Sequence, residues 1–232
     1  MKETINKRGC VIVPAYREGG RIGLVVAGIL PYMPSVMVID DGSPDDTARE
    51  AEQAGAIVIR HDINRGKGAA LETGFQAARE RGFDFVITMD GDGQHAVSDL
   101  SRFLETQARG NYPVLVGNRM VDARSMPLVR RVVNRTMSWL LSREMGQRVP
   151  DTQCGYRLYH LSVIPERTSA SHHFAAESEI LLELSGQGVR IGSVPVATIY
   201  GTETSKIRPV RDAIRFLAML RQYRKRRKVR SG

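Results

Sequence analysis

The chain has 232 residues, 42% of them hydrophobic and 25% charged, which fits one globular domain with at most a small appendage and excludes global disorder. Its two cysteines exclude a disulfide framework and a four-cysteine zinc site. The net charge of +9 is concentrated in residues 221–232, which hold seven Lys or Arg residues and no acid. A basic terminal segment of this kind is typical of contact with nucleic acid or anionic lipid, or of a solvated helix end.

The first half of the chain alternates between short apolar strands and amphipathic helices. Strands are predicted at 10–16, 35–43, 56–61, 83–93 and 113–117, and helices at 18–30, 45–54, 67–82 and 98–109. This alternation predicts an α/β domain with a mostly parallel central sheet flanked by helices. Prolines interrupt the longest uncharged run, 22–39, and the chain begins with polar residues, so neither a membrane span nor a signal peptide is expected.

The second half is less regular. Helices are predicted at 126–147, 174–186 and 207–228, a strand at 190–200, and a polar loop at 151–157. We expect a domain at 8–205, followed by a basic amphipathic C-terminal helix and tail at 206–232. Helices 126–145 and 207–228 both mix apolar and basic residues, which is typical of a helix on a membrane surface and also of a helix that packs on a core.

Carboxylates follow two of the predicted strands. Asp90 and Asp92 end the fourth strand in MDGDGQH, and Asp41 follows the second. Since ligands of parallel sheets bind beyond the carboxyl ends of the strands, these acids are candidate site residues. Two carboxylates one residue apart suit Mg²⁺ bound together with phosphate, whereas Asp and Gly are also common in turns.

A lysine between two glycines opens the third helix, in the segment NRGKGAALETG at 64–74. Lys67 and the neighbouring backbone N–H groups could contact a phosphate at the start of this helix. The spacing is not that of a Walker motif, and a tight turn from strand to helix explains the glycines equally well.

Six segments taken in order carry a resemblance to a known family. They are VPAYRE (13–18), VIDDGSPDDT (38–47), NRGKGAALETGF (64–75), MDGDGQH (89–95), DTQCGYR (151–157) and FAAESEILLEL (174–184). Together they resemble family-2 glycosyltransferases, which have the Rossmann-like GT-A fold. The similarity extends over roughly residues 10–205 and is strongest to the branch of dolichyl-phosphate mannose synthases and polyprenyl-phosphate glycosyltransferases.

The resemblance implies a nucleotide-sugar site with a divalent cation, Mg²⁺ or Mn²⁺. Residues at the matching positions for the nucleotide sugar are Pro14, Tyr16, Glu18, Asp41, Lys67 and Asp90. Asp90 and Asp92 match the metal-binding D-x-D motif, and Gln94 matches a further metal-site residue of this branch. The family inverts the anomeric configuration by direct attack.

The implied reaction is transfer of a hexose, from a donor such as UDP-glucose or GDP-mannose, to a polyprenyl or dolichyl phosphate. A phosphate acceptor is already anionic, so it needs cations rather than a base; the candidates are Arg119, Arg131 and Lys206. Asp92, Arg119 and Glu177 are the candidate catalytic residues. Glu177 is either a base or a structural carboxylate.

Two other functions stay open. A family-2 transferase with a hydroxyl acceptor would need Glu177 as its base. A nucleic-acid-binding protein would use the basic tail, but this tail has no recognised base-reading motif, so no nucleic-acid partner is expected. For the lipid-phosphate reaction we expect a cytoplasmic protein that is peripheral to the cytoplasmic face of the membrane. It would attach through its surface helices or through a separate membrane-anchoring subunit.

Overall fold

The computed structural model describes residues 8–110, 112–123, 126–165, 176–199 and 209–230. The strands within these ranges are β1 (Gly9–Ala15), β2 (Val36–Asp40), β3 (Ile57–Arg60), β4 (Phe85–Thr88), β5 (Val114–Asn118), β6 (Arg157–His160) and β7 (Ile191–Pro195). The α-helices are α1 (Ile22–Ile29), α2 (Thr47–Gln53), α3 (Lys67–Glu80), α4 (Leu100–Ala108), α5 (Leu128–Met145), α6 (Ala176–Gly186) and α7 (Pro209–Arg230).

The seven strands form one sheet in the order β3-β2-β1-β4-β6-β5-β7. All neighbouring strands are parallel except β6, which is antiparallel to both β4 and β5. The predicted α/β domain with a mostly parallel sheet is therefore confirmed. The apolar side chains of β1, β2 and β4 are buried in one continuous core, because helices cover the sheet.

Strand β6 was missed by the sequence analysis, which predicted a loop up to residue 157. The strand reads Arg-Leu-Tyr-His, and a charged first residue does not indicate a central strand. Arg157 is nevertheless buried there, because its guanidinium is surrounded by backbone carbonyl groups.

The strand order reverses at β1, which has β2 on one side and β4 on the other. In such sheets a crevice opens at this point, beyond the carboxyl ends of the strands. The ends of β1 and β2 are joined there by a hydrogen bond from the Asp41 N–H to the Ala15 carbonyl, 2.9 Å long. The loops that carry the predicted site residues therefore begin side by side.

Helix α7 packs on the domain. Its side chains Phe216, Met219 and Leu220 are buried in the same core as the sheet, and the helix contacts α5. Of the two interpretations of its apolar residues, packing on the domain is therefore the correct one for these three. The predicted boundary at 205/206 lies outside the described residues, so the division into domain and tail stays a prediction.

Among the helices of the described ranges, none combines the length and the apolarity needed to cross a bilayer.

Candidate active site

Three predicted site residues from different parts of the chain meet beyond the end of β4. The Lys67 ammonium contacts Asp90 Oδ1, and its Nζ lies 3.0 Å from Glu177 Oε2. Lys67 is the first residue of α3, Asp90 follows β4, and Glu177 is in the first turn of α6. The side chains of Lys67 and Asp90 are each 31% exposed, so solvent and a ligand can reach the pair.

The charges of this cluster stabilise one another. Burial opposes ionisation of Lys67, but Asp90 and Glu177 outweigh it and raise the pKa of the ammonium above its usual value. Burial likewise opposes ionisation of Asp90, but Lys67 and His95 outweigh it and hold the pKa of this carboxyl well below its usual range. The cluster therefore remains an ion pair throughout the physiological range of pH.

Two further residues fix the position of Asp90. His95 Nε2 lies 3.3 Å from Asp90 Oδ2, so both carboxylate oxygens have a partner. Gly155 lies against the same group: a Cβ atom on it would be 2.7 Å from Asp90 Oδ2 and 2.9 Å from Lys67 Nζ. Only a residue without a side chain fits this position, as the loop 151–157 passes directly over the ion pair.

The cluster fits the divalent cation that the sequence predicts. A cation, the Lys67 ammonium, already contacts Asp90, and the backbone of Gly155 lies close beside this pair. Asp92 has a second carboxylate, whose Oδ1 accepts a hydrogen bond, 3.0 Å long, from the Gln94 N–H. In the described part of the chain no three His, Cys, Asp or Glu side chains form a metal-binding group. Asp90 and Asp92 would supply the one or two carboxylates by which Mg²⁺ is commonly held together with substrate phosphates.

On the nucleotide side, Asp41 organises the loop that leads to Lys67. Its carboxylate accepts hydrogen bonds from the N–H groups of Arg65 (2.9 Å) and Gly66 (2.7 Å) and contacts His61 Nδ1 at 2.7 Å. The buried Asp41 thus holds the start of α3 in place. Its predicted contact with the nucleotide stays a prediction.

Pro14, Tyr16 and Glu18 line the neighbouring end of β1. Tyr16 is exposed, and the N–H of Glu18 is bound by Thr47 Oγ1 at 2.9 Å. Between them Arg17 has a φ of 59°, which is uncommon for a residue with a side chain and is often found at functional sites. Their predicted roles toward a nucleotide stay predictions.

Arg119 is buried at the end of β5 in a two-pronged ion pair with Asp151. The Nε–Oδ2 and Nη2–Oδ1 distances are 2.7 Å and 3.0 Å. Arg119 therefore orients the start of loop 151–157 in this arrangement. Arg131 is half-buried on α5, and Lys206 lies outside the described residues.

Arg157 holds the other end of this loop. It donates hydrogen bonds to the carbonyl groups of Thr152, Cys154 and Glu177, at 2.8, 2.7 and 2.6 Å, and so ties the loop to the start of α6. Burial opposes its charge, but Tyr159 and Glu177 raise the pKa of its guanidinium above the usual value. Burial raises the pKa of the Cys154 thiol to about 12, so Cys154 is a protonated core residue.

A separate cavity of about 620 Å³ lies between the outer side of α5 and the loop before Asp151. Its lining includes apolar residues such as Trp139, the neutral polar residues Asn118, Ser138 and Ser142, and the cations Arg135 and Arg148. The outer face of α5 next to it consists of Leu128, Val129, Val132 and Trp139, which are between 55% and 64% exposed. A monomeric soluble domain rarely leaves so many large apolar side chains of one helix in water.

The sequence analysis did not find the contact of Lys67 with Glu177, the ion pair of Arg119 with Asp151 or the contact of His61 with Asp41. Each joins residues far apart in the chain, so no local pattern could have indicated it. The available signal for His61 was its place at the end of the strand predicted at 56–61.

The chain is similar to known proteins along most of its length. The profile of the family described as Glycosyl transferase family 2 matches residues 10–167. The chain is 31% identical over 230 residues to the UDP-N-acetylglucosamine–dolichyl-phosphate N-acetylglucosaminyltransferase of Methanococcus voltae, covering 89% of this chain and 91% of that protein. It is 28% identical over 205 residues to the undecaprenyl-phosphate mannosyltransferase of Micrococcus luteus, covering 83% and 84%.

The fold is also that of a solved transferase. Glucosyl-3-phosphoglycerate synthase from Mycobacterium tuberculosis, in complex with Mn²⁺, uridine diphosphate and glucosyl-3-phosphoglycerate, superimposes with a TM-score of 0.66 at 21% identity. The match covers 86% of this chain and 74% of that one. At this identity the likeness concerns the fold, which is of the GT-A type.

Proposed function

The chain belongs to glycosyltransferase family 2 and is a glycosyltransferase, and we propose that it transfers a hexose from a nucleoside diphosphate sugar to a polyprenyl or dolichyl phosphate. One observation carries the choice of acceptor. The chain matches, along most of both lengths, two transferases that are named for dolichyl phosphate and undecaprenyl phosphate. The proposed donors are of the UDP-glucose or GDP-mannose type. The proposed transfer inverts the anomeric configuration of the sugar.

On the donor side, we assign the base and ribose to Pro14, Tyr16, Glu18 and Asp41, and the diphosphate to Lys67. Asp90, Asp92 and Gln94 are proposed to hold Mg²⁺ or Mn²⁺, which would neutralise the charge that develops on the leaving diphosphate. Lys67 is suited to the diphosphate because it lies beside Asp90 at the start of α3, where the helix dipole also favours negative charge. Binding of a diphosphate with a metal ion requires a positive helix end as well as carboxylates. The start of α3 at Lys67 is in contact with Asp90.

On the acceptor side, Arg119, Arg131 and Lys206 are proposed to bind the lipid phosphate. Asp151 fixes the guanidinium of Arg119, which reduces the conformational freedom that an acceptor would otherwise have to restrict. A phosphate oxygen is anionic near neutral pH and attacks without loss of a proton. Catalysis then depends on charge and orientation, and no group has to act as a base.

The outer face of α5 supports peripheral attachment to the cytoplasmic face of the membrane. Its exposed apolar side chains alternate with the cationic residues Arg131, Arg135 and Arg143, and the Arg143 guanidinium lies 5.9 Å from the centre of the Trp139 ring. An apolar face with basic neighbours suits the boundary between lipid headgroups and acyl chains. A separate membrane-anchoring subunit remains a prediction.

We expect Trp139→Ser to reduce binding to anionic lipid vesicles by at least about fivefold, because it removes a large exposed apolar side chain from the docking face. Co-sedimentation with vesicles of phosphatidylglycerol and phosphatidylcholine measures this effect. Leu24→Ser is the matched control, since Leu24 is 78% exposed on α1, away from α5. Equal losses in both variants would contradict docking through α5.

A hydroxyl acceptor is the second candidate, and one observation favours it. Among the described residues, no hydrogen bond reaches the buried Glu177 Oε1, which lies 3.9 Å from Arg157 Nε, whereas Oε2 is bound by Lys67. A carboxylate oxygen that accepts no hydrogen bond is able to accept the proton of an attacking hydroxyl group.

Glu177→Gln separates the two acceptors. Glutamine keeps an oxygen for Lys67 but cannot take up a proton, so turnover with a lipid phosphate is expected to fall by less than about tenfold, against about 100-fold or more for a hydroxyl acceptor. Steady-state kinetics with saturating donor measures the difference. A loss of several hundredfold with lipid phosphate would mean that Glu177 acts as a base after all.

A donor and acceptor screen tests the proposed function. Purified protein is incubated with labelled UDP-glucose, GDP-mannose or UDP-N-acetylglucosamine, with undecaprenyl phosphate in detergent and Mg²⁺ or Mn²⁺. We expect metal-dependent label in the lipid phase, absent with the Asp92→Asn variant. Release of nucleotide without labelled lipid would overturn the acceptor, and label that persists without metal would overturn the cation.

A further inference from the structure

The contacts of Lys67 go beyond binding of a diphosphate. Its ammonium lies between two carboxylates, in contact with Asp90 Oδ1 and 3.0 Å from Glu177 Oε2. His95 holds the other oxygen of Asp90 at 3.3 Å. Asp90 therefore offers a metal ion no oxygen that is without a partner.

A divalent ion bound by Asp90 would also be repelled by this ammonium. Two cations that bind the same carboxylate repel each other strongly, because they are close together and the site is only partly exposed to solvent. The metal can bind well only if Lys67 moves or if negative charge arrives with the metal. A nucleoside diphosphate brings that charge, and it gives the ammonium a new partner.

We propose that Lys67 is a cation that pairs with Asp90 before the metal and the nucleotide bind, as its contact with Asp90 Oδ1 indicates, and that its ammonium moves to the donor diphosphate when they bind together. This inference rests on the proposed function for the assignment of Asp90 as a metal ligand. The exchange of Lys67 makes metal binding weak without nucleotide and tight with nucleotide. It also keeps Glu177 paired with Lys67 until the donor is present.

Gly155 permits this exchange. A side chain at this position would collide with both members of the ion pair, at 2.7 Å from Asp90 Oδ2 and 2.9 Å from Lys67 Nζ. The bare backbone leaves the ammonium room to move away from Asp90 while the loop stays in place. The carbonyl of Gly155 is itself fixed, since it accepts a 3.0 Å hydrogen bond from Thr88 Oγ1.

Binding of Mn²⁺ alone, followed by the electron paramagnetic resonance signal of the free ion, tests the proposal without sugar, donor or acceptor. We expect Lys67→Met to bind Mn²⁺ about tenfold more tightly than the wild type, because the competing ammonium is gone. Lys67→Gln is expected to behave in the same way, and Lys67→Arg, which keeps the charge, to stay within about threefold of the wild type. Thermal unfolding confirms that each variant is folded.

Arg65→Gln is the matched control. It removes one positive charge two residues earlier, from an exposed side chain on the same loop. Long-range electrostatics alone would strengthen Mn²⁺ binding equally in Arg65→Gln and Lys67→Met, and that result would overturn the proposal.

Addition of UDP or GDP completes the test. Nucleotide is expected to tighten Mn²⁺ binding more in the wild type than in Lys67→Met. Only the wild type has an ammonium that can leave Asp90 and pair with the diphosphate. Equal tightening in both would also overturn the proposal. Neither measurement requires transfer activity, so a wrong acceptor or donor would leave this test unaffected.

Discussion

We expect Gly155→Ala to lower the turnover of sugar transfer by at least about 100-fold while the protein keeps its fold, since misplacing reacting groups by about 1 Å costs a factor of this size. The added Cβ would lie 2.7 Å from Asp90 Oδ2 and 2.9 Å from Lys67 Nζ. Lys67 ends in a flexible chain and can give way, but Asp90 is held by His95 as well. The collision therefore displaces a proposed metal ligand.

The Gly155→Ala experiment has a close control in the same chain. At Gly23, in α1, a Cβ would meet nothing nearer than the Glu50 carbonyl oxygen at 3.7 Å, so Gly23→Ala is expected to leave turnover unchanged. Gly155 does not have a positive φ, so alanine adds no backbone strain. Steady-state rates and thermal midpoints of both variants give the answer. Turnover within about twofold of the wild type in Gly155→Ala would mean that catalysis uses another arrangement of Asp90 and Lys67.

The parts of the site that follow strands could be predicted from the sequence. Asp90 follows the end of a strand, and Lys67 begins a helix that follows a strand. Parallel strands bring such positions to one edge of the sheet. The order of β1, β2 and β4 in the sheet then joins them. Their contact follows from local periodicity and a rule about topology, whereas their roles toward a ligand stay predictions.

Pairings across the fold could not be predicted in this way. Glu177 was recognised as a candidate base, yet its partner Lys67 lies on another helix, α3. Asp41 was assigned to the nucleotide, whereas its carboxylate binds the N–H groups of Arg65 and Gly66. Which partner a carboxylate finds is decided by side-chain geometry after the elements have packed, and periodicity carries no information about it.

The amphipathic helices illustrate the same limit. Both α5 and α7 mix apolar and basic residues, and the sequence gives each the same two interpretations. In the structure both helices bury part of their apolar residues, but α5 leaves Val132 and Trp139, at 55% and 60%, more exposed than Leu217 of α7, at 45%. An apolar face is covered only if another element reaches it, so the outcome depends on where the chain leads each helix.

Arg157→Met is the change that we expect to destabilise the protein most, by about 3–5 kcal/mol in the free energy of unfolding. The side chain of Arg157 is 1% exposed, and its guanidinium satisfies the carbonyl groups of Thr152, Cys154 and Glu177. Methionine fills much of the same volume but donates no hydrogen bond, so all three carbonyl groups would lose this buried donor. A loss of this size is a large part of the 5–15 kcal/mol that is usual for a domain.

Urea denaturation of Arg157→Met measures the effect, with Arg49→Met as the control. Arg49 pairs with Asp46 on the surface, where its side chain is 57% exposed, and its loss is expected to leave the midpoint unchanged. Because Arg157 also ties Glu177 to the loop over Asp90, the folded fraction of Arg157→Met should transfer sugar slowly even where the protein remains native. A variant that is as stable and as active as the wild type would mean that water replaces the guanidinium, and that the loop 151–157 is positioned by Arg119 and Asp151 alone.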